Sequence, residues 1–186
     1  MKLVYSLINR YLIMLNSILF LSYWVMMIFY YTNLPDQIPV HFDLSGEVTR
    51  TADRSIGSWF LVPIIVTFSG IHTIFIFWAI IAAGFESWNF PEKKRILALS
   101  KDDQAYFRKV MNWFVKHLLH TTILFILILV IAVGVYSYNA ATGNITFPLS
   151  LVLILITILY LVQIVRQYFL IRNNFRKQLR LYHPES

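Results

Sequence analysis

Four long apolar segments, each about the length a helix needs to cross a bilayer, constrain this chain more than any other feature. They run over residues 11–31, 58–83, 114–136 and 147–170. A hydrocarbon core about 30 Å thick takes roughly 20 apolar helical residues to span. Composition agrees: 58% of the 186 residues are hydrophobic and 13% are charged, against about 25% charged in soluble domains. The lipid bilayer is therefore the expected solvent, and the expected fold is an all-α integral membrane protein, a single domain of four transmembrane helices. The first segment is read as a retained anchor, because its apolar run exceeds the 7–15 residues of a signal peptide and no small-residue cleavage site follows. Pro63 falls within two turns of the second segment's start, and Pro148 in the first turn of the fourth, both tolerated places.

Charge placement orients the chain. Fourteen of the sixteen Lys and Arg residues lie in the N-terminal stub, in the connection 84–113, at the entrance of the next segment (Lys116) and at the inner end of the last segment and beyond it; only Arg50 and Arg54 lie in the connection 32–57. The positive-inside rule then predicts both termini and loop 84–113 in the cytoplasm (N-in, C-in), with 32–57 outside. The basic face is expected to meet anionic lipid, not nucleic acid. Ser100 before Asp102 and Asp103 predicts a helix N-cap and a helix running into the third span. Tyr106, Val110 and Trp113 share a face of that helix and are expected at the membrane interface. The fourth helix is expected to continue beyond the membrane through "QYFLIRNNFRKQLRLY".

The polar run "LPDQIPVHFD", residues 34–43, is the chief functional clue. Leu34-Pro35 ends the first helix, since a residue before proline avoids the helical region. Ile38-Pro39 adds a second extended step, and Gly46 reads as a turn. The expectation is a rigid, non-helical outer loop that aims "VHFD". His41 and Asp43 are expected to hold it by hydrogen bonds, with a ligand or peptide contact as the rival reading. Metal chemistry is disfavoured, because the spacing of His41, Asp43, Glu47 and Asp53 matches no standard ligand set. Cysteine is absent.

The motif resembles that of the SdpI-like bacterial membrane proteins: Leu34, Pro35, Ile38, Pro39, His41, Phe42, Asp43 and Gly46 match L-P-x-x-I-P-x-H-[FW]-[ND]-x-x-G, with Pro63 about twenty residues downstream and "NFP" at 89–91. The chain departs from the family in carrying Thr49-Arg50 after the glycine turn, where an acid and a lysine are usual. The resemblance implies a multi-pass protein of the bacterial inner membrane that acts in immunity or signalling against a membrane-active peptide toxin. It also makes the Asn144 sequon irrelevant. An accessory subunit of a larger membrane complex or transporter is the alternative.

Within the membrane, His72 is expected as the one ionisable side chain at depth, roughly 16 Å from the inner boundary at 1.5 Å per residue. It is expected to be neutral and bonded to Ser22, Tyr23 or Thr157. His117 and His120 are expected near the headgroups, and Arg166 to snorkel. No serine elbow, metalloprotease motif, phosphate-binding loop or intramembrane carboxylate pair occurs, so no catalytic role and no cofactor are expected.

Overall fold

The computed structural model describes residues 2–43, 45–90, 92–144 and 148–182, and the side chains from residue 7 onward. Helix α1 covers Lys2–Thr32, followed by strands β1 (Gln37–Phe42) and β2 (Val48–Asp53). Helix α2 is Ile56–Ala83, α3 the short Lys93–Leu97, α4 Lys101–Ala141 and α5 Leu149–Tyr182. Four of these, α1, α2, α4 and α5, are long and apolar enough to span a membrane. The four expected spans are thus present: the first three lie within longer helices, and the fourth falls in α5 from Leu149 onward. Phe147, the expected start of the last span, lies outside the described residues, as do Leu44, Pro91, Ile145 and Thr146 and hence part of the glycine turn, of "NFP" and of the sequon.

Helix α4 is the axis. It packs against α1, α2, α5 and β1, whereas α1 and α2 meet sparingly. Against α1, Gly134 allows close approach: a methyl group there would lie 3.0 Å from the Met27 sulfur. Against α5, Thr122 and Tyr160 share a hydrogen bond of 2.7 Å, and Phe125 stacks on Tyr160 with centroids 4.1 Å apart. Polar side chains that pair between helices satisfy each other where water cannot.

The end of the bundle opposite the strands carries the basic residues and a packed apolar core. Phe85, Trp88, Phe90 and Ile96 from the connection pack with Phe107 and Met111 of α4 and Phe175 and Leu179 of α5. The described residues of 84–100 therefore form a folded layer on the ends of α4 and α5, more than the connecting loop expected from its charge. Arg176 donates to Glu92 at 3.0 Å and Arg108 pairs with Glu86, fastening that layer on its outside. Ser100 caps α4 as anticipated, accepting the Asp103 N–H at 3.2 Å, and α4 runs unbroken into the span. Helix α5 likewise continues to Tyr182. Tyr106 and Val110, expected at the membrane interface, have a partner within the chain. They pack on this core, and the Tyr106 hydroxyl donates to Asn174 of α5 at 3.0 Å.

Candidate functional site: a clamped hairpin over a membrane cleft

The site grows from the end of α1. Thr32 and Asn33 both donate side-chain bonds to the Phe29 carbonyl at 2.8 Å, closing the helix. Leu34-Pro35 then leads into an antiparallel pair. Gln37 faces Asp53, Ile38 faces Ala52 and Pro39 faces Thr51. Beyond Pro39 the pairing shifts to His41 with Arg50 and returns at Phe42 with Val48. Two compensating bulges, at Val40 and at Thr49, account for this register, and each sharpens the local twist. The proline-punctuated stretch is thus non-helical, as expected, and forms one strand of a hairpin. With no N–H on Pro39, a short two-stranded edge is the kind of sheet that accepts it.

The motif residues divide into two sets. Leu34, Ile38, Pro39 and Gly46 are buried and Phe42 is half-buried, whereas Pro35, His41 and Asp43 are exposed. Leu34 and Ile38 join Tyr23, Met27 and Trp59 in an apolar cluster at the mouth of the bundle. Trp59 donates its indole N–H to the Met27 carbonyl at 3.0 Å, tying α2 to α1 beneath the hairpin. At the tip, the buried Tyr136 of α4 donates to the Gly46 carbonyl at 2.6 Å, and its ring meets Phe42 edge-on at 5.3 Å. Gly46 has φ +90°, and a Cβ there would lie 2.5 Å from the Tyr136 oxygen. Both the backbone and the clamp therefore require glycine.

The outward set holds the hairpin to itself. The His41 ring nitrogen Nδ1 and the Thr49 hydroxyl share a hydrogen bond across the bulges. Asp43 Oδ1 accepts from the Ser45 hydroxyl at 2.6 Å and from the Glu47 N–H at 2.9 Å. The Ser45 hydroxyl and then the Glu47 N–H hold the Asp43 carboxyl below its ordinary range, because both bonds favour the charged form. At the base, Arg54 donates to the Leu34 carbonyl at 2.6 Å and lies 3.5 Å from Asp36. Among the described residues, no group of three or more His, Cys, Asp or Glu is placed to hold a metal.

Beneath the hairpin lies a cleft of about 460 Å³ between α1, α2 and α4. Met27, Trp59, Val62 and Val130 supply apolar walls, with Arg50 and Ser58 among the polar groups that line it.

His72, Ser22 and Thr157 do not come together, which corrects the expected intramembrane hydrogen bond. His72 and Ser22 are exposed on α2 and α1, and Thr157 bonds its own helix at the Leu153 carbonyl, 2.8 Å away. Depth was an inadequate guide because azimuth decides contact. Helix α2 turns Trp59, Pro63, Thr67 and Gly70 toward the bundle, and two residues past Gly70 is a rotation of about 200°. His117 and His120, expected near the headgroups, face α1. His117 is buried, stacked on Trp113 and 3.3 Å from the Asn9 side-chain oxygen. Asn16 donates to the His120 carbonyl at 2.9 Å. The i, i+3 spacing of the two histidines, with asparagines at 9 and 16 on α1, was the available signal for this buried pairing.

Fold and site together define a four-span integral membrane protein that carries a clamped β-hairpin on one end. Residues 18–67 match a domain of unknown function (DUF1648). That match takes in the second half of α1, the hairpin and the first half of α2. No curated protein and no solved structure matches the chain.

Proposed function

We propose that this chain is a non-catalytic protein of the bacterial inner membrane, of the SdpI-like type, whose hairpin and cleft meet a membrane-active peptide on the outer face and block it. The observation that carries the reading is the Tyr136–Gly46 clamp, which seats the hairpin above an apolar cleft. A hairpin already ordered loses little further conformational freedom on binding, and backbone ordering costs about 1–2 kcal/mol per residue. Apolar walls with Arg50 among them suit an amphipathic segment lying at the membrane surface. The motif residues and the domain match coincide with this region.

The test is protection. A susceptible bacterium expressing the chain is challenged with a depolarising peptide, and membrane potential is followed by a voltage-sensitive dye. Wild type should hold the potential, whereas Val62→Trp, which fills the cleft, should not. Equal protection by the two proteins would remove the cleft from the account. No protection from any peptide would remove immunity. The orientation is tested by reporter fusions: external at Ser45 and Thr142, cytoplasmic at Ser100 and Ser186. An internal signal at Ser45 would place the hairpin on the wrong side.

The second reading, an accessory subunit of a larger membrane complex, is favoured by α2, whose most apolar stretch has no residue buried within the chain. A partner helix would cover that face as well as lipid does. A gentle-detergent pull-down with mass spectrometry tests it: stoichiometric recovery of a larger membrane complex supports this reading, and recovery of the chain alone opposes it.

A further inference from the structure

A second cavity lies deeper in the same three-helix groove, about 410 Å³ in volume and nearer the basic end. Its walls are mainly apolar, contributed by residues such as Phe20, Ile71 and Leu127. Its polar groups include Asn16, Ser17 and His120. Asn16 is 7% exposed, and its amide orientation is fixed: Nδ2 must face the His120 carbonyl, which only accepts. Its Oδ1 is left without a partner. Ser17 is exposed on α1 and His120 half-buried on α4, and among the described residues neither the Ser17 hydroxyl nor the His120 ring forms a hydrogen bond within the chain. Opposite, Gly70 leaves space, since a methyl group on it would meet no atom within 4 Å.

We propose that this cavity is a binding site for an apolar molecule carrying a single hydroxyl, which enters sideways from the bilayer and sets that hydroxyl against His120 and Ser17. The volume falls in the usual range of small-molecule sites, about 300–1,000 Å³, and apolar walls with a few convergent polar groups are their common character. A neutral imidazole offers one N–H and one bare nitrogen, and a hydroxyl is the smallest group that answers either. A plain acyl chain would fill the space but leave these groups unmet, which is costly away from water. Water would answer them but would find few partners along the apolar remainder of the wall. Asn16 positions the site by holding the α4 backbone at His120. The inference is independent of the peptide reading, because it concerns a different stretch of the groove.

The test uses the full chain in phosphatidylcholine nanodiscs with a diazirine-bearing hexadecanol as photoprobe. Labelling should saturate and map to residues 13–23 and 120–127. Unlabelled 1-hexadecanol should displace the probe roughly three- to tenfold better than its O-methyl ether, the worth of one hydrogen bond in a membrane interior. Gly70→Leu, whose Cβ would meet no atom within 4 Å and whose branches would take up cavity space, should abolish the saturable component. His120→Phe should keep saturable labelling and lose the preference for alcohol over ether. Labelling that never saturates, equal displacement by alcohol and ether on wild type, or unchanged labelling of Gly70→Leu would each overturn the proposal. The alcohol–ether comparison needs no variant, so a misfolded His120→Phe leaves the test intact.

Discussion

The two ends of the bundle are held together by different means. At the basic end, ten buried apolar residues form a continuous core in which Phe107, Phe175 and Leu179 are fully enclosed. At the hairpin end, five buried apolar residues suffice, and the remaining order comes from directed bonds: Tyr136 to Gly46, Trp59 to Met27, His41 to Thr49 and Asp43 to its own turn. Apolar burial is non-directional and tolerant of sequence. Hydrogen bonds fix one geometry and demand particular residues. The basic end is thus built for cohesion, and the hairpin end to hold a shape.

Substitutions should separate these two modes. The largest effect belongs to the basic end. Phe175→Ala removes a fully buried ring and should cost about 4 kcal/mol, read as a lowered thermal midpoint in detergent, with the hairpin's hydrogen exchange unchanged. Gly46→Ala comes next at about 3 kcal/mol, from backbone strain at positive φ together with the clash on Tyr136. Its effect should appear as proteolysis within 42–54 before the helices melt. Tyr136→Phe, which deletes only the hydroxyl and leaves the Gly46 carbonyl unmet, should cost about 1–2 kcal/mol and loosen the tip while the global midpoint moves little. The smallest effect is expected from His72→Leu. This side chain faces outward from α2, so stability should change by less than about 0.5 kcal/mol or rise slightly. A large loss there would mean that a partner covers α2.

Much of this contrast was legible in the residues. Four spans follow from apolar length alone, and Ser100 with its acids marked the start of α4. The two prolines and Gly46 marked a specified loop. That the loop pairs with itself was only faintly written: the five residues between "QIPVHF" and "VTRTAD" contain Gly46, as longer hairpin connections do, but neither run alternates cleanly. In the sequence Tyr136 is one of several aromatics near the ends of the apolar segments, where such rings are common. Its role as the clamp depends on a contact ninety residues away in sequence, which no local pattern encodes. The His72 expectation failed for a related reason: depth is one coordinate of a helix position, and partners are chosen by the other.

Hydrogen exchange across residues 37–53 in nanodiscs tests the central claim most directly, that the hairpin is a rigid element clamped to α4. In wild type, the paired amides of β1 and β2 should be protected well beyond the rate of an open loop. Tyr136→Phe should raise exchange at 42–48, and His41→Ala should raise it beside Thr49 while the base near Arg54 stays closed. Exchange of wild-type 37–53 at the rate of an unstructured peptide would contradict the account.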